Sequence, residues 1–389
     1  MRIGIFGGVF DPVHEGHISV ANAAIQAGLD QIILLPGPQK TDMRQAVASP
    51  AERVKMCRLA AQTDARITVS ALEADQLHAV ATIDTVRRLT KELHGAQLTI
   101  LLGADKLPGL PYWDEAKKLF ELCDFLIAPR AGVDHAFALE KARQAGARVE
   151  MLDAKVTPGS SVVIRAQIEK MDEPDNLPLS VAVYIAQNGL YHDQALLSVR
   201  ERMSEKRFQH TLGVRYEAVR LAALHRIPLQ KAALAAMLHD CAKGLPFEEM
   251  LSLAAQAGIT DENLLSSPAL LHGPVGAYIA KTRLHVLDED VLNAVANHTV
   301  GREGMSPLEL CIFVADATEP NRDVYPGLER MRALADISLE AAALLSLNLT
   351  RAYLFSRGKT FNPLSDLTAR FLTDRVPREL LYLTRAATQ

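Results

Sequence analysis

Apolar and polar positions change their rhythm about halfway along the chain. In the first half, short apolar, β-prone runs close at glycine or proline and give way to helical stretches. Ile3 to Phe10 reads IGIFGGVF and breaks at Asp11-Pro12; Gln31 to Leu35 closes at Pro36-Gly37-Pro38, Leu98 to Leu102 at Gly103, and Phe125 to Ala128 at Pro129. Between them, Pro50 to Gln62 and Ala81 to Leu93 carry helical periodicity. This alternation predicts an α/β fold: a doubly wound, Rossmann-like parallel sheet whose ligands bind beyond the carboxyl ends of the strands. After Asn188-Gly189 and His192-Asp193-Gln194 the pattern is almost wholly helical, with apolar stripes such as Leu221, Leu224 and His225, or Leu234, Met237 and Leu238. The expected organisation is an α/β domain over 1–193 and an all-α bundle over 194–389.

Length supports more than one domain: at about 150 residues each, 389 residues hold two to three. Hydrophobic residues at 49% and charged residues at 23% fit a soluble globular protein and exclude a disordered one. A net charge of -4 gives the whole chain no electrostatic footprint for nucleic acid or an anionic membrane. Charged residues or prolines interrupt every apolar stretch before membrane-helix length, and Asp11, His14 and Glu15 break the amino-terminal run before a signal-peptide core is complete. The cysteines, Cys57, Cys123, Cys241 and Cys311, lie far apart without a CxxC pair, which argues against a disulfide framework and for a reducing cytoplasm. Self-association into a homo-oligomer stays open.

The first loop holds the first candidate chemistry. Gly7-Gly8 let the backbone approach a ligand, and His14 and His17 fall one turn apart where a helix begins. Helix amino termini attract anions, so two imidazole donors there suit a triphosphate. An isolated HxxH is more often a pair of capping or surface histidines, but its placement after a strand, a double glycine and Asp-Pro favours phosphate binding.

The stretch GGVFDPVHEGH, from Gly7 through Phe10 to His17, resembles the HxGH signature of nucleotidyltransferases and specifically that of nicotinate-nucleotide adenylyltransferases. Ala81-Thr82-Ile83-Asp84-Thr85 resembles that family's YTIDT segment, and Leu102-Gly103-Ala104-Asp105 its strand-end GAD. Trp113 is similar in place to the tryptophan that stacks on the nicotinate ring, and Ser160-Ser161-Val162-Val163-Ile164-Arg165 resembles the helix start that grips ATP phosphates. The resemblance spans about the first 190 residues. It implies transfer of AMP from ATP to nicotinate mononucleotide with Mg²⁺, with His14, His17, Lys40 and Arg165 stabilising charge and Arg130 in a supporting nucleotide contact. Two departures stand out: Pro36-Gly37-Pro38-Gln39-Lys40 replaces a histidine-bearing PHK or PHR segment, and Val162 and Val163 replace a hydroxyl and an acid.

In the helical half, polar residues interrupt apolar stripes. His210 is expected to open a helix, His239-Asp240 sits in AALAAMLHDCAKG, His272 precedes Gly273-Pro274, His298 follows VLNAVAN, and Asp316 ends CIFVAD. Buried imidazoles and carboxylates need partners, and this mixed nitrogen and oxygen set suits iron or manganese better than a thiolate-bound zinc. With Asp240 able to bridge, two ions are expected, an arrangement suited to in-line attack on phosphorus. Any one of these histidines alone reads as a satisfied core residue.

The order H…HD…H…H…D resembles the HD phosphohydrolase superfamily, and the flanking segments narrow the match. Arg207 to Val214, His239 to Lys243, Leu271 to Ala277, His298 to Arg302, and Asp316 with Glu319 to Arg322 resemble the HD-domain symmetrical bis(5′-nucleosyl)-tetraphosphatases. That resemblance implies diadenosine tetraphosphate cut into two ADP at two metal ions, usually iron. Metal would be held by His210, His239, Asp240, His272, His298 and Asp316; Asp240 and Lys243 would act at the centre, and His210, Thr299, Gly301, Arg302 and Arg322 would touch substrate. Two other readings stay open at this point: different substrates (nicotinamide mononucleotide or phosphopantetheine as acceptor, a nucleotidase or alarmone hydrolase at the HD site), or a non-catalytic nucleotide sensor regulating the helical half.

Overall fold

The computed structural model describes all residues except 40–44, 77, 130–134, 171, 193–202 and 387–389. Contacts divide it into two units, one of Met1–Ile168 with Pro174–Tyr184 and one of Glu169–Glu173 with Ile185–Gln389. The domain boundary expected at 193 falls outside the described residues.

The first unit is built on a parallel sheet of β1 (Arg2–Gly8), β2 (Gln31–Pro36), β3 (Ile67–Val69), β4 (Gln97–Gly103), β5 (Cys123–Ala128) and β6 (Val149–Met151), in the order β3-β2-β1-β4-β5-β6. β1, β2, β4 and β5 each bury at least four consecutive residues, as strands covered on both faces must. The connecting helices are α1 (Glu15–Gln26), α2 (Pro50–Ala61), α3 (Thr82–Glu92), α4 (Ala116–Leu122) and α5 (Ala136–Gln144); α6 (Ser161–Glu169) and α7 (Leu179–Asn188) follow the last strand, and α7 passes from the first unit into the second at Ile185. One core joins Ile3, Ile5, Ile33, Leu35, Leu98, Ile100, Phe125 and Ile127 of the sheet to Ile83, Val86 and Leu89 of α3 and Leu119 and Phe120 of α4. Strand order reverses between β1 and β4, so their carboxyl ends open the crevice in which such folds bind nucleotides.

The second unit is helical: α8 (Glu205–His225), α9 (Leu229–Leu238), α10 (Phe247–Gln256), α11 (Glu262–Leu265), α12 (Pro268–Arg283), α13 (Glu289–Asn297), α14 (Pro307–Thr318), α15 (Leu328–Ala335), α16 (Leu339–Ser356), α17 (Pro363–Thr373) and α18 (Arg378–Leu381). Side-chain caps set many of the starts, among them Ser204 on α8, Asp288 on α13 and Ser306 on α14. Ser204 accepts from the Arg207 N–H, so α8 begins earlier than expected and His210 lies in its second turn instead of opening it. Leu221 is buried as the stripe requires, but Leu224 flanks that stripe at the helix end and is exposed.

Candidate functional site

At the crevice of the first unit, β1 delivers Gly7 and Gly8 beside Leu35 and Pro36 of β2, and Gly37 donates its N–H to the Gly8 carbonyl at 2.9 Å. Phe10 takes the left-handed region at φ 51° and is buried, turning the chain into the histidine segment. His14 is the N-cap residue of α1, and its ring stacks on that of His17 with centroids 3.7 Å apart. The His14 N–H donates to His17 Nδ1 at 3.2 Å. Nδ1 of His17 is therefore an acceptor, and in the neutral ring the proton sits on Nε2 as a donor. Burial lowers the His14 pKa to about 4, and burial with the neighbouring His14 takes His17 well below the ordinary histidine value. Both rings are neutral at pH 7 and would act on phosphate through N–H groups.

The loops around these histidines are cross-tied. Asp11 accepts from the N–H groups of Val47 and Ala48, while Arg165 of α6 donates to the Asp11 carbonyl and stands 3.7 Å from its carboxylate. Ser161 does not cap α6 with its hydroxyl; it donates to the Pro12 carbonyl at 2.9 Å, and Ser160 supplies the first helical carbonyl to Ile164. These bonds tie Arg165 and Ser161 to Asp11 and Pro12, just ahead of His14, with Ser160 and Ile164 joined to each other at the start of the same helix. Arg53 of α2, fully buried, donates to the carbonyls of Val9, Gly37 and Ala48. No sequence signal marks it, because a helix arginine is ordinarily solvated.

Thr82 begins α3, Gly103 ends β4, and Asp105 lies in the first turn of the 3-10 helix that follows. Trp113 is half-buried and packs against the sheet core, leaving part of its ring exposed. Lys40 and Arg130 lie outside the described residues.

In the second unit, α8, α9, α12, α13 and α14 bring the six expected ligands into two groups: His210, His239 and Asp316, and Asp240, His272 and His298, each set of donor atoms within 4.8 Å of one another. His239 and His298 sit just past the ends of α9 and α13, where their Nδ1 atoms donate to the carbonyls of Ala236 at 2.6 Å and Val295 at 2.8 Å. Each Nε2 is then a lone pair. Among the described residues the His239 Nε2 has no hydrogen-bond partner, and it lies 3.7 Å from Asp240 Oδ1 and 3.9 Å from Asp316 Oδ1. His272 Nε2 and His298 Nε2 are 3.0 Å apart, at 3.3 and 3.7 Å from the same Asp240 oxygen. Lone pairs converging on carboxylates in a buried place repel one another unless a cation stands between them. The donor set thus fits divalent metal, and Asp240 lies where both groups can use it.

Packing enforces this closeness. A β-carbon on Gly273 would stand 2.7 Å from the Ala296 carbonyl oxygen, so only glycine beside His272 lets α12 approach α13 this far. Burial raises Asp240 and Asp316, but the surrounding imidazoles, with Lys243 and Arg322 respectively, more than offset it and hold both well below the usual carboxylate range. Burial lowers His239 to about 4, against the pull of both carboxylates.

Lys243 and Arg322 meet these carboxylates directly: Lys243 Nζ is 3.0 Å from both Asp240 oxygens, and Arg322 donates to the Asp316 carboxylate and backbone carbonyl at 2.8 Å. Thr299 Oγ1 lies 3.2 Å from His298 Nε2 and 3.4 Å from His272 Nε2. Gly301 is buried at φ +71°, its place filled by Thr368. Arg302, expected to touch substrate, has Nε and Nη2 both engaged by fully buried Glu309 at 2.7 Å, and Nη1 reaches the Glu303 carbonyl. Glu309 also accepts from Asn297 and caps α14 through Ser306, so Arg302 ties down the loop behind His298.

The comparisons follow this division. Residues 5–170 match the family model described as cytidylyltransferase-like, and residues 207–321 match the HD domain. A Mycoplasma genitalium protein named "Probable nicotinate-nucleotide adenylyltransferase/Ap4A hydrolase" is 30% identical over 89% of this chain and 97% of its own length. A Bacillus subtilis symmetrical bis(5′-nucleosyl)-tetraphosphatase is 39% identical over 46% of this chain and 96% of its own. A Neisseria meningitidis protein named "Probable nicotinate-nucleotide adenylyltransferase" is 37% identical over 49% of this chain and 98% of its own. Among the described residues, no helix is long and apolar enough to cross a membrane. With two domain types in one order and a relative matched along nearly its whole length, this chain belongs to the family of nicotinate-nucleotide adenylyltransferase/Ap4A hydrolase fusions.

Proposed function

We propose that the chain is a bifunctional enzyme of adenylyl and polyphosphate chemistry. Its first domain, 1–193 by the sequence reading, transfers AMP from ATP to nicotinate mononucleotide, forming the dinucleotide and releasing pyrophosphate. Its second, 194–389, adds water to diadenosine tetraphosphate and yields two ADP. The observation that carries the hydrolytic half is the convergence of imidazole lone pairs and two carboxylates in two adjoining groups. For the synthetic half it is the neutral His14–His17 pair at the point where strand order reverses.

In the first domain, substrate alignment and donor placement do the work, and no protein nucleophile is needed. His17 offers Nε2–H, Arg165 a guanidinium beside Asp11, and Lys40 and Arg130 complete the phosphate contacts in this reading. Mg²⁺ accompanies the triphosphate, which suits a cation that keeps much of its own water and takes few protein carboxylates. Gly7 and Gly8 admit the nucleotide, and the exposed part of Trp113 offers a stacking face to the nicotinate ring.

In the second domain, His210, His239 and Asp316 would hold one divalent ion and Asp240, His272 and His298 the other, iron in preference to zinc on this nitrogen and oxygen donor set. Held there, two such ions would supply Lewis acidity for the phosphoryl group and for the attacking water. Lys243 and Arg322 extend from Asp240 and Asp316 to partly exposed positions, where polyphosphate oxygens can meet them. A cytoplasmic setting supplies both substrates and keeps the four cysteines reduced.

The test is product chromatography on the full-length protein. Mg-ATP with nicotinate mononucleotide should give dinucleotide and pyrophosphate in preference to nicotinamide mononucleotide, and diadenosine tetraphosphate with Mn²⁺ or Fe²⁺ should give ADP alone. ATP plus AMP from the tetraphosphate would refute symmetric cleavage, and no dinucleotide from either acceptor would refute the transferase reading.

A further inference from the structure

The two ligand groups of the helical unit differ in what stands behind them. His239 and His298 each lean on a backbone carbonyl, whereas His210 Nδ1 meets a carboxylate, Glu319 Oε1, at 3.1 Å, while its Nε2 faces Asp316 at 3.0 Å. Glu319 is 2% exposed and follows α14, three residues beyond Asp316. Its second oxygen accepts the Asn321 N–H at 2.6 Å, which fixes the carboxylate's orientation. Space for it comes from α8: a β-carbon on Gly213, one turn after His210, would stand 2.2 Å from Glu319 Oε2. Gly213 and Glu319 are therefore one device, a notch and the carboxylate that fills it.

We propose that Glu319, seated in the Gly213 notch, is a positioning residue that fixes the His210 tautomer and makes the His210–His239–Asp316 group the tighter of the two metal sites. A carboxylate accepting Nδ1–H holds the ring with its Nε2 lone pair forward and increases that nitrogen's basicity more than a carbonyl does. This inference rests on the two-metal reading given above. The notch also separates positioning from folding. Alanine at 213 favours the helix, and the atom it would strike is the far end of a flexible side chain, so the expected result is a displaced Glu319 and an intact α8.

The experiment is a calorimetric titration of the metal-stripped full-length protein with Mn²⁺, run on wild type, E319A, E319Q and G213A, together with ¹⁵N spectra of the histidine rings after loading with diamagnetic Zn²⁺. Wild type should bind two ions with distinguishable affinities. E319A and G213A should weaken the tighter step by about 10–100-fold, the usual cost of losing such an outer partner, and leave the other unchanged. Both variants should lose the single His210 tautomer while keeping the wild-type unfolding temperature to within a few degrees. E319Q can keep its amide oxygen on only one of its two donors, His210 or Asn321, and should fall between. Equal two-step isotherms and an unchanged His210 tautomer in E319A and G213A would overturn the proposal. A wild-type protein binding fewer than two ions would instead overturn the two-metal reading.

Discussion

Replacing Gly273 by alanine tests whether helix packing sets the metal-ligand geometry. The added carbon would lie 2.7 Å from the Ala296 carbonyl and 3.1 Å from that of Val295, and both are backbone atoms of α13 that no rotamer change can move. Ordinary contact begins at 3.4 Å, so the two helices must separate by about 0.5–0.7 Å. Overpacking of this kind costs about 1–3 kcal/mol, against which alanine returns about 1 kcal/mol of helix propensity. The net loss is up to about 2 kcal/mol, a fall in unfolding temperature of up to about 8 °C for a domain this size. The catalytic effect should be larger than the stability effect. Ala296 lies two residues before His298, and metal sites tolerate only about 0.2 Å in ligand distance, so His298 would leave the reach it shares with His272. Hydrolysis of diadenosine tetraphosphate should drop about 10–100-fold, while dinucleotide synthesis by the same preparation is unchanged. G273A with wild-type hydrolysis and wild-type melting would refute the argument that this glycine sets the site.

Further outcomes follow from the same geometry. Chelation should abolish hydrolysis, Mn²⁺ or Fe²⁺ should restore it, and the metal-free chain should melt lower, because the converging lone pairs then lack their cation; activity surviving exhaustive chelation would contradict this. R302A should destabilise the helical unit by about 1–3 kcal/mol, since it strips two hydrogen bonds from fully buried Glu309, and R302K should recover part of that in a urea melt. His14, held near 4 by burial against an unfolded value near 6.5, contributes stability that is complete above pH 6.5 and is lost as pH falls towards 4. A full-length H14N variant should therefore show a shallower fall in the denaturation midpoint of its first transition between pH 6.5 and 4 than wild type does.

The sequence made the architecture legible where burial on both faces forces a continuous apolar run, as at Ile3–Phe6, Ile32–Leu35, Leu98–Leu101 and Phe125–Ala128. The edge strands Ile67–Val69 and Val149–Met151 are three residues each, too short to carry a period. The six residues proposed as metal ligands could be singled out because His and Asp on apolar helices have few other uses, and the structure gathers their side chains into two groups. Their orientation could not: the partners of His239 and His298 are backbone carbonyls, which every residue possesses. Arg302 shows the limit in the other direction. Its forked donors suit phosphate by chemistry, but folding places buried Glu309 against them first. Arg53 gains its role only from contacts between segments far apart in the chain, so no local pattern reveals it.

The most direct test of two independent catalytic centres is a crossed pair of variants, H17A and D240A, assayed in full-length protein for both products by chromatography. H17A should lose dinucleotide synthesis and still convert diadenosine tetraphosphate to ADP at the wild-type rate, and D240A should do the reverse. Loss of both activities in either variant, with the fold intact by circular dichroism, would contradict the account.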